Sequence, residues 1–443
     1  MESGSRIKRQ HVVAMPYPGR GHINPMMNEW LGFNESSESR LPPQIRLRSM
    51  PNVIPSELVR GLDFRDPFAQ LLDQLQQDDD PTMVQVTTTI ADATLPWAIS
   101  VGNRRNIPVV SHWPMSPSVF SIFYHIDILA QNGHYPIDFS SGLPDELIDY
   151  IPGVSPIRVV DMPPSLDHSR QQALSRVLAS VNAVRKAKCL LLTTYHELEP
   201  QVTKTLMEVL SVPVYHVGPA IPISAILEDD RDTTETHNNM NLENQHHYLK
   251  WLDSQLENTV LYVSFGSFMS ASSEQMKEIL AGLHDSVHTY NSVVDQVDVE
   301  NELANIRSLV VPWCDQLRVL CHSSVGGFWT HCGWNSTLEG VYAGVPMLTF
   351  LVNLDQRTNT KLIVDDWKIG MKVAKEVGAN ILVKREEITM TVKKFMNSDV
   401  ENEESIKMRT TTNEFKKICR QALAHGGSSA INLDDFIKNI LFI

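Results

Sequence analysis

The chain has few cysteines and no long hydrophobic run, and each shortage excludes a class of protein. Five cysteines are scattered over 443 residues without any C-x-x-C spacing, so a disulfide framework is not predicted and reduced thiols are expected. No apolar stretch is long enough to cross a bilayer, and the first ten residues lead into a strand without an apolar signal-peptide core. We therefore expect a cytoplasmic protein that does not insert into a membrane.

Basic residues are also in short supply. Lysine and arginine number 38 against 52 aspartates and glutamates, which gives a formal net charge of −14, and the sequence contains no long basic run. This balance argues against nucleic acid or an anionic membrane surface as a partner. With 42% hydrophobic and 20% charged residues over 443 positions, the chain instead has the profile of a globular protein of two or three domains.

The sequence does contain a regular alternation of strands and helices, in two halves separated by a polar run at 229–245. In the first half, buried strands are predicted at 11–15, 84–91, 108–112, 189–193 and 212–216, and helices at 66–77, 95–105, 115–130 and 198–210. In the second half, strands are predicted at 259–264, 308–311 and 325–330, and helices at 273–284, 384–396 and 403–424. This alternation predicts an α/β protein with parallel sheets covered on both faces. Residues 1–228 are assigned to a first domain, 229–245 to a linker and 246–425 to a second domain.

The most informative stretch is the 44 residues from Trp313 to Gln356. Residues 325–330 read as a buried strand, His331 to Gly333 as a tight turn, and the residues from Trp334 onward as a helix. A helix that begins at the end of a parallel strand directs its first N–H groups and its positive dipole end outward, which makes an anion site. We expect the anion to be a phosphate or a diphosphate.

Side chains of this segment could hold the rest of a nucleotide sugar. Trp313 offers a face on which a base can stack, Glu339 could accept hydrogen bonds from ribose hydroxyls, and Asp355 could bind a sugar through several hydroxyls. The candidates in chain order are Trp313 and Gln316 for the base, His331, Gly333, Asn335 and Ser336 for the diphosphate, Glu339 for the ribose, and Asp355 and Gln356 for the sugar.

The segment resembles the signature box of the plant secondary-product UDP-glycosyltransferases, which are inverting enzymes of GT-B fold. The residues that match at the spacing of the box are Trp313, Gln316, His322, Gly326, Phe328, 331–336, Glu339, 344–346, Asp355 and Gln356. A match of this length is far more specific than a single short motif. Asp315 and Leu351 depart from it, because the family has proline at both positions, and we expect a change of loop stiffness there.

The resemblance implies two Rossmann-like domains that face each other across a cleft, with a helix at 430–443 crossing back to the first domain. It also implies donor contacts from Ser267, Cys314 and Trp334. Gln356 in this position favours UDP-glucose as the donor. No metal and no cofactor besides this co-substrate are expected, and the expected partner is a small lipophilic acceptor bound by a monomer.

The candidate catalytic residues lie in the first half. His22 stands in the loop after the first strand, in the sequence GHINP, and Asp92 ends a later strand. The carboxyl ends of parallel strands meet at one edge, so the two side chains should converge on one cleft. A neutral histidine can take the proton of an acceptor hydroxyl, and a carboxylate can fix its tautomer and stabilise the imidazolium. The family's GHxNP loop and its catalytic aspartate match these positions.

We therefore predict an inverting UDP-glycosyltransferase that moves glucose from UDP-glucose to a hydroxyl or carboxyl of a small lipophilic plant metabolite. The alternative is a catalytically impaired relative that still binds UDP-sugar. It is suggested by three departures from the family: about 25 residues are missing after Pro25, judged by the usual size of a strand–helix–strand unit; residues 286–300 are polar, with at best a short strand at 292–297; and Pro114 replaces a threonine that contacts the sugar.

Plainer interpretations of individual residues stay open. His22 could cap a helix, Ser336 and Glu339 could form an ordinary capping box, and Trp313 or Trp334 could be core residues. A zinc site at 321–322 and 331–332 is disfavoured because adjacent ligands on a strand or helix point in different directions. A dehydrogenase is also disfavoured, because Asn24 stands where the third glycine of G-x-G-x-x-G would be.

Overall fold

The computed structural model describes residues 11–17, 22–23, 65–77, 85–139, 146–219, 221, 242–266, 272–286, 291–295, 308–311, 314–350, 355–374, 382–397 and 403–441. Ser267, Trp313, Leu351 and most of the proposed linker lie outside the described residues, as does the segment 24–64 with its suspected deletion. Within the described part, two parallel sheets form the centres of two α/β domains.

The first sheet has five strands in chain order. They are β1 (Val12–Met15), β2 (Thr88–Asp92), β3 (Val109–Trp113), β4 (Cys189–Leu192) and β5 (Val214–His216), all parallel. Every residue of β2, β3 and β4 is buried, as expected for strands that are covered on both faces, although only β4 is apolar throughout. The strand predicted at 84–91 begins later than expected, at Thr88.

The second sheet has six parallel strands. They are β6 (Val260–Ser264), β7 (Asn291–Asp295), β8 (Ser308–Val311), β9 (Val325–Thr330), β10 (Met347–Thr349) and β11 (Gly370–Lys372), in the spatial order β8-β7-β6-β9-β10-β11. The order reverses between β6 and β9, which in doubly wound folds is the point where ligands bind. The polar stretch after residue 286 does supply a strand, because β7 pairs with both β6 and β8.

Helices connect the strands and cover the sheets. In chain order they are α1 (Arg65–Gln77), α2 (Pro96–Asn103), α3 (Pro117–Tyr124), α4 (Ile126–Gln131), α5 (Gln171–Ala183), α6 (Pro200–Val209), α7 (Leu242–Asp253), α8 (Ser273–Ser286), α9 (Gln316–Leu320), α10 (Trp334–Ala343), α11 (Gln356–Lys361), α12 (Arg385–Met396), α13 (Glu403–Leu423) and α14 (Ser428–Phe436). None of the helices in the described ranges combines the length and hydrophobicity needed to span a bilayer.

The single helix predicted at 115–130 is wrong in detail, because the structure has two helices there. Ser116 caps α3, and its hydroxyl accepts a hydrogen bond from the Val119 N–H. The break falls at His125, whose backbone leaves the helical region at φ −103°. The His125 ring also donates from Nδ1 to the Ser121 carbonyl at 3.0 Å. A side chain that bonds to the backbone of the preceding turn competes with continuation of the helix.

The C-terminal helix crosses back onto the first sheet, as the resemblance implied. Phe436 and Ile440 pack against Ile90 and Val110, on the face of the sheet opposite to α3 and α6. The Phe436 ring also meets the edge of Tyr215 at 5.6 Å between centroids. The helix therefore ties the end of the chain to the domain that contains β1 and β2.

Two tryptophans of the second domain hydrogen-bond to the backbone of the first. The indole N–H of Trp334 donates to the Thr193 carbonyl at 2.8 Å, and that of Trp367 donates to the Leu198 carbonyl at 3.0 Å. Both side chains are buried, and their ring centroids are 6.2 Å apart. This contact holds the end of β4 next to the start of α10, so the carboxyl ends of the two sheets face each other.

Candidate active site

His22 and Asp92 lie in direct contact, 70 positions apart in the sequence. The His22 Nδ1 atom is 2.8 Å from Asp92 Oδ2, and the carboxylate is buried while the imidazole keeps 25% of its side chain exposed. Asp92 is the last residue of β2, and His22 follows β1, which is the neighbouring strand. The shared edge of two adjacent parallel strands therefore brings the pair together, as the topology predicted.

The carboxylate of Asp92 is held in place from the other side. Its Oδ1 atom accepts hydrogen bonds from the Thr94 N–H at 2.9 Å and the Thr94 hydroxyl at 2.6 Å. Burial alone raises the pKa of Asp92, but the charges of His22 and His112 and the hydrogen bonds outweigh it, so its pKa lies below the ordinary value. Asp92 is therefore an anion at neutral pH, oriented towards His22.

Asp355 of the second domain lies within electrostatic range of His22. Burial raises the pKa of Asp355, and the hydrogen bond from Asn359 and, more weakly, the charge of His22 oppose the shift. On its own side of the cleft, His22 lies beside Tyr17, with 5.2 Å between ring centroids. The structure thus brings together the residue proposed as base and a residue proposed to hold the sugar.

The turn between β9 and α10 has an unusual backbone. Cys332 adopts a left-handed conformation with φ 64°, and its N–H donates to the Thr330 hydroxyl at 3.1 Å. Gly333 is the N-cap of α10, and as a glycine it has no side chain that could cap the helix. The first turn of α10 therefore points its N–H groups into the cleft, where they can meet an anion.

His331 is wedged between two glycines. A Cβ atom at Gly266 would lie 2.6 Å from His331 Cε1, and one at Gly333 would lie 2.5 Å from His331 Nε2, so only glycine fits at either position. Gly266 also has φ +76°, which favours glycine. Burial lowers the pKa of His331 to about 4, although a hydrogen bond to the Ser264 backbone opposes the shift, so the ring is neutral. This bond and the two glycines fix the orientation of the ring beside the start of α10.

Gln316 joins the candidate base end of the site to the candidate ribose end. Its Nε2 atom donates to Ser336 Oγ at 3.0 Å and to Glu339 Oε2 at 2.7 Å. Burial raises the pKa of Glu339 to about 7, although the bond from Gln316 opposes this. Because Gly333 is the N-cap, Ser336 lies in the third position of the helix. The capping-box interpretation of Ser336 and Glu339 is therefore wrong, and both side chains remain candidates for ligand contact.

Asn359 is a residue of the site that sequence reasoning missed. It lies one turn after Asp355, and its side-chain amide donates to Asp355 Oδ2 at 2.8 Å and to the Cys332 carbonyl at 2.9 Å. It therefore fixes the candidate sugar ligand to the turn that begins α10. The i, i+4 spacing of Asp355 and Asn359 on a helix is a signal that could have found it. Gln356, the first residue of α11, is buried beside it.

Asp315 has a different role from the one we expected. The carboxylate caps α9 by accepting a hydrogen bond from the Arg318 N–H at 3.2 Å, and the Asp315 N–H donates to the Tyr248 hydroxyl at 3.2 Å. Proline cannot donate from its backbone nitrogen. The substitution thus adds a cap and a hydrogen bond and does not simply loosen the loop.

Two predicted donor residues have side chains that point elsewhere. The Trp334 indole is committed to the contact between the domains, and the Cys314 thiol is buried 3.4 Å from the Tyr262 hydroxyl. Any donor contact from Trp334 or Cys314 must therefore come from the backbone. A zinc site is not supported either, because no cluster of three potential metal ligands occurs in the part of the chain that the structure describes.

Comparison with known proteins places this site in a family. The family model described as UDP-glucoronosyl and UDP-glucosyl transferase matches residues 172–414. UDP-glycosyltransferase 87A2 of Arabidopsis thaliana is 41% identical over 464 aligned positions, which cover 97% of this chain and 97% of the relative. The sequence similarity thus extends over nearly the whole of both chains.

Solved structures show the same architecture. UGT2 of Phytolacca americana, in complex with UDP-2-fluoro-glucose and pterostilbene, superposes with a TM-score of 0.78 at 25% identity, covering 97% of this chain and 99% of that one. A UDP-glucosyltransferase of Polygonum tinctorium capable of glucosylating indoxyl gives a TM-score of 0.77 at 25% identity, with 98% and 99% covered. The two-domain fold with facing sheets is therefore shared with plant glycosyltransferases that bind a UDP-sugar and a small acceptor.

Proposed function

Because this chain belongs to the plant UDP-glycosyltransferase family, we propose that it transfers glucose from UDP-glucose to a hydroxyl or carboxyl of a small lipophilic plant metabolite, with inversion at the anomeric carbon. The structures of relatives with a UDP-fluoroglucose donor and an aromatic acceptor support the two substrate classes. Gln356 at the sugar end of the site supports glucose. The scattered spacing of the five cysteines, with no C-x-x-C, supports a reducing compartment, and we place the enzyme in the cytoplasm as a monomer.

The observation that carries the proposal is the His22–Asp92 pair, whose atoms are at hydrogen-bonding distance, with Asp355 within electrostatic range of His22. Asp92 accepts the Nδ1 proton of His22, which leaves the lone pair on Nε2. As the acceptor oxygen attacks the anomeric carbon, Nε2 takes the hydroxyl proton and Asp92 stabilises the imidazolium. The bond between the anomeric carbon and the diphosphate oxygen breaks on the opposite side, which inverts the configuration.

The second domain stabilises the leaving group. Negative charge grows on the diphosphate as the glycosidic bond breaks, and the N–H groups at the start of α10 would lie against it. His331 is neutral and locked between Gly266 and Gly333, so it would lie beside the diphosphate in a fixed orientation. Donors that are already oriented need no reorganisation during the reaction, so they favour the transition state over the bound substrate.

Glu339 and Asp355 would select the donor. Glu339 is held by Gln316 and can accept hydrogen bonds from the ribose hydroxyls. A deoxyribose has fewer of these hydroxyls, so it would bind less well. Asp355 is held by Asn359 and can accept from sugar hydroxyls, with Gln356 beside it. Trp313 would stack on the base and Ser267 would donate to the phosphate, as the family motif implies for these two positions.

The alternative of an inactive UDP-sugar-binding relative loses part of its basis. The polar stretch at 286–300 supplies β7 of the second sheet, and the catalytic pair has hydrogen-bonding geometry. The departure near Pro25 lies outside the described residues, and Pro114 by itself provides no observation that favours inactivity.

Incubation with UDP-glucose and a panel of phenols and aromatic carboxylic acids tests the proposal. The expected result is release of UDP with formation of a β-glucoside or a β-glucose ester, identified by the anomeric proton coupling in the NMR spectrum of the product. UDP-galactose should be used less well. Saturable UDP-glucose binding with no product from any acceptor would favour the inactive relative, and an α-linked product would refute inversion.

A further inference from the structure

A short segment of the first domain lies against the helix that begins at the sugar end of the site. The segment is a single turn of 3-10 helix, Val159–Asp161, which we call the 159–161 turn. Two of its backbone carbonyls accept hydrogen bonds from the second domain, one from the Arg357 guanidinium at 3.4 Å and one from the Thr358 hydroxyl at 3.0 Å. These two donors directly follow Gln356 in α11. The turn is therefore bound to the first residues of that helix.

Charged side chains reinforce this contact between the domains. The Asp161 carboxylate is buried, and it lies 2.7 Å from Arg158 Nε and 3.7 Å from Lys372 Nζ, at the end of β11. Arg158 in turn lies 3.7 Å from Asp365 of the second domain. Each domain thus supplies one acidic and one basic side chain, and the four alternate in sign. Because a buried carboxylate is stable only beside its partners, Asp161 favours the arrangement that keeps Lys372 close.

The contact concerns the sugar end of the donor site more than the nucleotide end. α11 begins at Gln356, and Asp355 is its N-cap residue. Thr358 is buried, so its hydroxyl depends on the carbonyl of the 159–161 turn for a hydrogen bond. The candidate base and ribose residues Gln316 and Glu339, by contrast, hold each other within the second domain. Loss of the turn's contacts should therefore disturb the sugar end first.

α11 is anchored on the opposite side as well. The Asn359 amide donates to the Cys332 carbonyl at 2.9 Å, in the turn that leads into α10. That anchor lies within the second domain, whereas the 159–161 turn belongs to the first domain, which also carries His22. The 159–161 turn therefore fixes the sugar end of the site relative to the catalytic pair.

We propose that Asp161 is a positioning residue for the sugar end of the donor site, an inference that rests on UDP-glucose being the donor. Its carboxylate binds the 159–161 turn to Lys372, and the turn fixes the start of α11 and with it Asp355 and Gln356. The glucose ring of the donor would depend on this contact, because both of its proposed ligands lie there. The UDP part would not, because its base and ribose ligands are held elsewhere.

Calorimetric titrations of the full chain with UDP-glucose and with UDP, both without acceptor, test this role. Asp161→Asn keeps the size of the side chain and removes its charge. Thr358→Val keeps the shape of the side chain and removes the hydroxyl that bonds to the turn. Ser155→Ala is the matched control, because its hydroxyl also bonds across the domain boundary, at 2.6 Å, but to Asp366, which lies beyond the end of α11. A thermal melt shows that each variant is folded.

In Asp161→Asn and Thr358→Val the Kd of UDP-glucose should rise about three- to tenfold relative to the Kd of UDP. The ratio in Ser155→Ala should equal that of the wild type. A wild-type ratio in Asp161→Asn, even with a lower Tm, would show a merely structural role and overturn the proposal, and so would an equal change in Ser155→Ala. If Asp161→Asn does not fold, Thr358→Val decides by the same criterion.

Failure of the proposed donor gives a different result from failure of this inference. A wild type that binds UDP but shows no saturable binding of UDP-glucose would refute the donor and the positioning role together. A wild type that binds both, with the same ratio of affinities in Asp161→Asn and Thr358→Val, would refute the positioning role alone.

Discussion

Replacing Asp92 by asparagine should slow glucosyl transfer without weakening donor binding. The side chain keeps its size, and its oxygen can still accept both hydrogen bonds from Thr94. The amide, however, would present a donor to His22 Nδ1 in place of the carboxylate oxygen now 2.8 Å away. The imidazole would then favour the tautomer with its proton on Nε2, which cannot accept the proton of the acceptor hydroxyl.

The size of the effect follows from the bond that is lost. A hydrogen bond to a charged group contributes roughly 1.5–3 kcal/mol, and each 1.36 kcal/mol of transition-state stabilisation is about a tenfold change in rate. The kcat of Asp92→Asn should therefore fall by about 10- to 150-fold, with the wrong tautomer adding to the loss. Because the pKa of Asp92 is already below its ordinary value, the carboxylate stays ionised from about pH 5 upward, and the deficit should persist across that range.

Steady-state kinetics with a phenolic acceptor, together with calorimetry of UDP binding, measure this effect. The matched control is Asp73→Asn, which also breaks an aspartate pair, to Arg105 at 2.7 Å, but lies outside the cleft and should leave kcat unchanged. In the His22→Ala background, Asp92→Asn should have almost no further effect, because Asp92 acts through His22. A kcat for Asp92→Asn within twofold of the wild type would refute the orienting role, and so would full additivity with His22→Ala.

Three further predictions concern the second domain. Glu339→Gln removes a carboxyl group whose pKa in the folded protein, about 7, exceeds its ordinary value of 4.5. The wild type therefore loses stability as the pH rises from 4.5 to about 7, whereas the variant does not, so the variant should have the higher Tm at about pH 8. Its UDP affinity should fall about tenfold. An unchanged Tm difference between pH 5 and pH 8 would contradict this. Gly266→Ala should weaken UDP binding because the new Cβ atom displaces His331. Gly426→Ala is the control: Gly426 has a similar positive φ but open space around it, so this variant should lose stability and keep its UDP affinity. Equal UDP affinity in both variants would show that Gly266 does not fix the position of His331. Trp334→Phe loses a hydrogen bond between the domains and should lower the free energy of unfolding by about 0.5–1.5 kcal/mol, and a chemical denaturation curve identical to that of the wild type would count against that contact.

The fold and the catalytic pair could be predicted because they depend on regular patterns. Strands buried on both faces are continuous apolar runs, and their alternation with helices predicts parallel sheets. The parallel arrangement then places the ends of neighbouring strands at one edge. For this reason His22 and Asp92 could be paired from the sequence although 70 residues separate them.

The direction of individual side chains could not be predicted in the same way. Trp334 lies within the signature segment, but spacing does not say whether a helical tryptophan faces a ligand or the other domain, and the structure shows the second. His331 between two glycines is a tertiary contact, because Gly266 is 65 positions earlier in the chain. The signature segment relates Asp315 only to the proline that it replaces, whereas its role as a helix cap depends on where α9 begins.

Buried polar groups without partners could not be predicted from the sequence either. Glu199 precedes a proline in an ordinary helix-start pattern, and nothing in that pattern indicates a buried carboxylate that accepts two hydrogen bonds from Ser118 and leaves its other oxygen without a partner among the described residues. The break at His125 has a similar origin, because a ring nitrogen that bonds to the preceding turn competes with the helix by geometry and not by helix propensity.

The central claim is that His22 is the catalytic base of a glucosyl transfer and that the second domain binds the UDP-glucose donor. The most direct measurement is the turnover of His22→Ala with UDP-glucose, next to His134→Ala, which breaks a comparable histidine–carboxylate pair (3.0 Å to Glu146) outside the cleft. His22→Ala should lose about 10²- to 10⁴-fold in kcat with UDP affinity retained, while His134→Ala should turn over like the wild type. If His22→Ala keeps wild-type kcat towards a phenolic hydroxyl, the account of the catalytic pair is wrong.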